Sequence, residues 1–331
     1  MDKFRAYRIN RKDREIVSGF TELTLDDLTP GNVVVRVSHS TINYKDALAA
    51  TGAGRILRRY PLNGGIDLAG IVETSEDPAF PPGTAVLVNG CGLSETVDGG
   101  YAEYARVDSA GLVPIPTGMD AAMAMQIGTA GYTAALAIHR MEQNGQAPEN
   151  GPLVVTGATG GVGSIAIDML AGRGYEVVAV TGKAAESDYL TSIGASRVLL
   201  RDRIDFGSRP METTEWGGAI DNLGGDYLAW LTRTTAYGGN IASVGLAASH
   251  ELHTTVMPFI LRAVCLLGIN SVDTPRELRL AVWSRIAADL KPRHLDRIGH
   301  TRITLDALPD YFQQYLDGRV TGRVVVEIDP T

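Results

Sequence analysis

The run L-V-V-T-G-A-T-G-G-V-G at residues 153–163 constrains this chain more than any other segment. An apolar strand enters a glycine-dense turn, and residues 161–173 then carry apolar side chains at helical spacing. Small residues let a backbone approach a pyrophosphate. The N-terminus of the helix that follows offers N–H donors at the positive end of its dipole. The order strand, turn, helix therefore predicts a dinucleotide site. The motif departs from strict G-x-G-x-x-G, because Ala158, Gly160 and Gly163 fill the three glycine positions. An ordinary flexible turn is the competing reading. Against it stands a second apolar strand, expected at 176–180, at the interval a βαβ unit requires.

The alternation continues, with helices expected at 184–193 and 226–237 and strands at 197–200, 218–222, 239–244 and 264–270. Strands alternating with helices predict an α/β fold with a doubly wound parallel sheet. Upstream, from residue 4 to about 116, short β-branched runs such as 32–37, 70–73 and 84–88 are broken by Pro and Gly, the pattern of a β-rich domain. A small-residue apolar helix is expected at 121–140. The tail carries a helix at 308–316 and a strand at 323–328 with no helix after it, which fits better on the β-rich domain. The expected division is 1–124 with 298–331 for the β-rich domain, and 125–297 for the nucleotide domain.

Composition narrows the function. With 331 residues the chain can build two cores. A net charge of −8 argues against nucleic acid as a partner. Two cysteines, Cys91 and Cys265, are too few for a disulfide framework or a four-cysteine zinc site. Among six histidines, only His250 and His253 stand near each other, without a third ligand, so no metal is expected. No run of about 18 apolar residues predicts a membrane span, and the charged start M-D-K-F-R-A-Y-R does not resemble a signal peptide. Cytoplasmic residence is the expectation.

Seven motifs, in order, carry a family resemblance: I-N-Y-K-D (42–46), G-I-D-L-A-G (65–70), D-G-G-Y-A-E (98–103), G-T-A-G-Y-T-A (128–134), the glycine turn, T-T-V-M-P-F-I-L-R (254–262) and G-R-V-T-G-R (318–323). The chain resembles the zinc-free, quinone-oxidoreductase-like branch of the medium-chain dehydrogenase/reductase superfamily, and within it the acrylyl-CoA reductase subfamily. The resemblance implies a β-rich GroES-like catalytic domain joined to a Rossmann domain that binds NADP. Asn43 and Ile66 stand where zinc-dependent relatives carry a cysteine and a histidine, and neither supplies a thiolate or imidazole.

An acid about twenty residues past the glycine turn would bind a ribose 2′-hydroxyl and repel a 2′-phosphate. This chain has Thr181, Gly182 and Lys183 there, a set that suits the phosphate and predicts NADPH. The resemblance adds Arg201 as a second phosphate contact, with a solvated arginine as the alternative. It also implies cofactor contacts at Tyr44, at Thr159, Gly160, Gly161 and Val162, and at Leu246, Ile260, Ser271 and Gly318. Leu246 and Ile260 would form apolar walls for the nicotinamide, and both could equally be core residues.

The implied reaction is hydride transfer from NADPH to the β-carbon of an alkene conjugated to a carbonyl. Negative charge then collects on the carbonyl oxygen, and the α-carbon needs a proton. Asn43 and Tyr44 provide donors, and a tyrosine with an ordinary pKa of about 10 is protonated at neutral pH. Asp46 would orient Tyr44 or Lys45 from the same side of a strand, or cap a helix beginning near Ala47. For an acyl-CoA substrate, Arg55, Arg58 and Arg59 are candidates to meet the carrier's phosphates, although such a cluster can also be a solvated face. The loop 89–98 departs from the subfamily's usual text, which puts acyl preference in question. An NADPH:quinone oxidoreductase and a non-catalytic NADPH-binding protein are the competing readings. Relatives commonly pair through the outer strand of the nucleotide sheet, so a homodimer is expected.

Overall fold

The computed structural model describes residues 3–328. The chain forms two compact units. The first takes the chain through Thr129, Ser271–Trp283, and the chain from Gly299 onward; the second takes Ala130–Asn270 and Ser284–Ile298.

In the first unit, the hairpin Phe4–Lys12 and Glu15–Leu23 pairs antiparallel, with Leu62–Asn63 on its other side. A larger sheet runs Thr301–Thr304, Val324–Glu327, Val33–Ile42, Asp67–Ser75, Ala85–Asn89 and Val113–Pro114, and Tyr104–Val107 also pairs with Val33–Ile42. Alternate residues Val33, Val35 and Val37 enter the core beside Leu68, Val72, Val86 and Val88, the period of two that a strand imposes. The tail strand Val324–Glu327 lies antiparallel on Val33–Ile42, as expected of a strand without a following helix.

One segment sits elsewhere than expected. Ser271–Trp283 joins the first unit, not the nucleotide domain expected over 125–297. Arg276 donates to the carbonyls of Ser109, Ala110 and Leu112. Buried Arg279 donates to Asn89, Ser271 and Val272 carbonyls, and Trp283 Nε1 donates to Asn89 Oδ1. A buried guanidinium must stay where its acceptors are, and these acceptors lie in the β-rich unit.

The second unit is a six-stranded parallel sheet in the order Arg197–Leu200, Val177–Thr181, Leu153–Thr156, Trp216–Asp221, Thr235–Ser243 and Cys265–Gly268. Two elements differ from expectation. Helix Gly225–Thr234 stops before Tyr237, because T-T-A-Y passes directly into the strand Thr235–Ser243, where β-branched and aromatic residues are at ease. The helix expected at 184–193 is a 3-10 turn, Ala184–Glu186, followed by the short helix Ser187–Ser192.

Contrary to the expectation of no membrane-length helix, Ala121–Gln143 is long and apolar enough by length and composition, but 83% of its apolar window is buried inside the protein. It also breaks at Gly128, whose φ is 51° and ψ −161°. Both features describe a core helix.

Candidate active site

The I-N-Y-K-D motif turns a strand into a helix. Strand Val33–Ile42 ends, Asn43 caps, and Tyr44–Thr51 is helical. The capping box is closed by Asp46, whose Oδ2 accepts from the Asn43 backbone N–H at 2.8 Å and from Asn43 Nδ2 at 3.0 Å. Asp46 Oδ1 accepts from Ile66 N at 2.9 Å. The helix therefore begins at Tyr44, three residues before the expected Ala47, and Asp46 serves its third position. Helical geometry also turns Asp46 inward, away from the shared strand side expected for it and Tyr44.

Asn43 differs from expectation as well. Its second amide hydrogen goes to Asp67 Oδ2 at 2.8 Å, and its Oδ1 accepts from buried Arg323 Nη1 at 3.1 Å. Both amide hydrogens are committed to carboxylates, so the side chain has none left for a developing oxyanion. Its part is to hold the helix start.

Behind it lies a network that sequence reasoning missed. Asp67 is fully buried and accepts from Asn43, from Asn89 Nδ2 at 2.6 Å, and from Thr129 through its backbone N–H at 3.0 Å and its Oγ1 at 2.6 Å. It caps the helix that restarts after Gly128. A Cβ at Gly128 would lie 2.6 Å from Arg323 Nη2, and the positive φ is itself unfavourable for other residues. Arg323 completes its own set on the Gln126 and Ile42 carbonyls and Thr41 Oγ1. Asp67 and Arg323 were legible only as charged residues inside two of the motifs, G-I-D-L-A-G and G-R-V-T-G-R.

Two carboxylates in one buried site disfavour each other's charge. Burial first, and Asp67 second, push the Asp46 carboxyl up to about 7. Burial also raises Tyr101, whose hydroxyl donates to the Thr41 carbonyl at 3.2 Å, and pushes Tyr315 up to about 12. Tyr44 stands apart from this network, with 44% of its surface exposed.

The arginine cluster lies in the same unit. Arg55, Arg58 and Arg59 are all exposed. Arg55 and Arg58 line a groove of about 450 Å³ with Lys45, Ile56, Leu57 and Glu95. Lys45 follows Tyr44 in the chain and is paired with Glu95.

In the second unit, Leu153–Thr156 leads into the turn and the helix Gly161–Gly172. Gly157 adopts φ 59°, and a Cβ at Gly163 would fall 2.4 Å from the Gly157 carbonyl oxygen. That close approach explains the third glycine position. Gly160 caps the helix without a side-chain hydrogen bond, so its cap leaves the first-turn N–H groups of Gly161 and Val162 to other acceptors. Thr159 is buried within the turn.

Parallel pairing sets Thr181 beside Leu200, which brings Gly182, Lys183 and Arg201 together. Arg201 lies so close over Gly182 that a Cβ there would sit 2.3 Å from Nη2. Thr181 Oγ1 accepts from the Lys183 N–H at 3.0 Å and fixes this bend. Desolvation by burial lowers the Lys183 ammonium from its ordinary range. Lys183 and Arg201 thus bring two cations to the bend at Gly182, with Glu186 also acting on the Lys183 ammonium.

The remaining predicted contacts, Leu246 and Ile260 in the second unit and Ser271 and Gly318 in the first, lie on separate segments. Leu246 is exposed beyond strand Thr235–Ser243. Ile260 lies on the short helix Met257–Leu261 among exposed Val256, Met257 and Leu261. Ser271 offers its carbonyl to Arg279, and Gly318, at φ 64°, follows the helix Leu308–Leu316 in a left-handed conformation.

The "Zinc-binding dehydrogenase" family model matches residues 161–288, and the "Alcohol dehydrogenase GroES-like domain" model matches 29–117. Zinc does not fit the residues present. Asn43 is spent on carboxylates, Ile66 has no donor, and among the described residues no group of three or more His, Cys, Asp or Glu could hold a metal ion. The chain is 45% identical to "Acrylyl-CoA reductase AcuI" of Ruegeria pomeroyi over 323 residues, 96% of this chain and 98% of that protein. It is 44% identical over 326 residues to "Putative quinone oxidoreductase YhfP" of Bacillus subtilis, 98% of this chain and 99% of the relative. The crystal structure of that species' yhfP with NAD bound superposes with a TM-score of 0.95, covering 99% of this chain and 100% of the other. Escherichia coli YhdH with bound NADPH superposes with a TM-score of 0.94 at 45% identity, covering 98% and 100%. In sequence and in fold, the chain belongs to the acrylyl-CoA-reductase, quinone-oxidoreductase-like branch of the medium-chain dehydrogenase/reductase superfamily.

Proposed function

We propose that the protein reduces the conjugated double bond of a short 2-enoyl-CoA with NADPH, acrylyl-CoA to propanoyl-CoA being the reference reaction. The observation that carries this reading is the placement of Tyr44. It presents a hydroxyl on a helix end whose cap is otherwise locked inward, next to Lys45 of a groove that also holds Arg55 and Arg58. A relative named as an acrylyl-CoA reductase and another crystallised with NADPH support it.

Thr159, Gly160, Gly161 and Val162 would hold the pyrophosphate, and Thr181, Gly182, Lys183 and Arg201 the 2′-phosphate. Tyr44, Leu246, Ser271 and Gly318 would supply further contacts. NADPH, when bound, supplies the hydride that reaches the β-carbon. Tyr44 Oη donates a hydrogen bond to the thioester oxygen as enolate charge forms there, and passes its proton to the α-carbon. Its exposure lets water restore that proton. Asn43 and Asp46 act at one remove, by fixing the helix end that carries Tyr44. Arg55, Arg58 and Arg59 meet the carrier's phosphates.

The test is NADPH oxidation over a panel of enoyl-CoA thioesters and simple quinones. Acrylyl-CoA should be turned over with the highest kcat/KM. Turnover of quinones alone would move the assignment to NADPH:quinone reduction, the reading that the name of the B. subtilis relative favours.

The same reading includes a homodimer. Tyr237, Val256, Ile260, Leu261 and Leu266 are exposed around the edge strand Cys265–Gly268. An exposed apolar face beside an unpaired strand edge is suited to a second copy. We therefore assign Ile260 to this face in preference to a nicotinamide wall. Ile260→Lys should shift sedimentation toward the monomer. We place the enzyme in the cytoplasm, where its two free cysteines would stay reduced.

A further inference from the structure

Glu95 is the one acid in a groove whose other charged lining residues, Lys45, Arg55 and Arg58, are cations. Its side chain is 11% exposed, against 29% for Lys45, whose ammonium it holds, and 74% for Arg58, whose Nη2 lies 4.0 Å from the other carboxylate oxygen. The Arg58 N–H also donates to the Glu95 carbonyl at 2.8 Å. The loop that presents Glu95 is costly to build. Cys91 and Ser94 both take positive φ, 51° and 58°, and the Ser94 hydroxyl is buried without a hydrogen-bond partner. Such strain persists where surrounding structure enforces it, and it concentrates at functional positions.

A phosphate entering the groove meets Lys45, Arg55 and Arg58 together with one opposing carboxylate. It competes with Glu95 for Lys45, since the ammonium is already paired with that carboxylate. Glu95 would then oppose the incoming anion until the phosphate displaces it.

We propose that Lys45 is a contact for the nucleotide phosphates of the acyl carrier and that Glu95, its resting partner, sets how strongly the enzyme prefers a phosphorylated acceptor over a neutral one. The inference rests on the enoyl-CoA reading and assigns a specificity role to a residue pair beside Tyr44.

The experiment compares KM for one enoyl group carried on coenzyme A and on N-acetylcysteamine, which has no phosphate, in the wild type, Glu95→Gln and Lys45→Gln. In Glu95→Gln the ratio of the coenzyme A KM to the N-acetylcysteamine KM should fall about two- to tenfold; in Lys45→Gln it should rise by a similar factor. A rise in both variants, or no change in Glu95→Gln, overturns the proposal. Calorimetry with 3′,5′-ADP gives a readout independent of turnover, and binding should be tighter to Glu95→Gln than to the wild type. If no enoyl thioester is reduced, the enoyl-CoA reading fails by itself. The 3′,5′-ADP comparison still decides the phosphate site, and equal affinities would sink it.

Discussion

Two helix N-termini in this molecule are built in opposite ways. At Tyr44–Thr51 the start is closed: Asp46 accepts from the backbone and side-chain N–H groups of Asn43, and Asp67 and Arg323 hold Asn43 from behind. At Gly161–Gly172 the start is open: Gly160 provides no side-chain cap, and the glycines hold the backbone tight against itself. Capping satisfies orphan N–H groups and stabilises a helix by about 0.5–2 kcal/mol. An uncapped start gives up that stability and leaves donors for an anion. The closed end thus positions a side chain, Tyr44, while the open end positions backbone.

The comparison is broken most severely at Asp67. Asp67→Ala leaves donors on Asn43, Asn89 and Thr129, with no acceptor in a fully buried place. Removing one partner of a buried charged network costs about 3–5 kcal/mol, to be read from urea unfolding. A second break titrates the closed end. Asp46 is held at about 7 in the folded protein, above its ordinary value in an unfolded chain of about 3.9. The folded state therefore keeps a proton that the unfolded chain releases between about pH 4 and 7. Stability from this group is fully present below pH 4 and is lost as pH rises through about 7. Asp46→Asn should flatten that slope, by roughly 2–4 kcal/mol across the window, in urea midpoints measured at several pH values. A slope that persists unchanged would assign it to other groups.

What could be read from the sequence divides along the same line. The open end is local: strand, turn and helix lie within about twenty residues, and their spacing carries the geometry. The strands expected of the nucleotide unit form and pair in parallel for the same reason, with ends shifted by a few residues where Thr and Tyr favour strand over helix. The closed end is non-local. Asn43, Asp67, Asn89, Thr129 and Arg323 come from five distant segments, and no periodicity links them. Asn43 was legible as a donor but not as one whose hydrogens are already committed. The same limit hid the segment Ser271–Trp283, placed by arginines that bond to distant carbonyls.

Tyr44→Phe sharpens the contrast, because it alters what the closed end carries without touching how it is held. If the hydroxyl donates in the reaction, kcat should fall about a hundredfold or more. NADPH affinity, measured by fluorescence titration, and urea stability should stay close to the wild type, since the ring is half exposed and its helix cap is made by other residues. A fall in stability with unchanged kcat would make Tyr44 a packing residue.

The smallest expected effect tests the open unit's choice of ligand. Lys183 and Arg201 share the bend at Gly182, one partly desolvated and the other lying over the glycine backbone. A charge-assisted contact of this kind is worth about 1.5–3 kcal/mol, or roughly ten- to a hundredfold in affinity. Lys183→Ala should raise KM for NADPH by about that factor and leave KM for NADH nearly unchanged, because NADH lacks the phosphate. Arg201→Ala should act in the same direction. The two effects together should exceed either alone but fall short of their sum if both cations meet one phosphate. Equal losses for NADPH and NADH would show that Lys183 supports the bend and does not select the dinucleotide. The open end would then bind pyrophosphate without distinguishing the two.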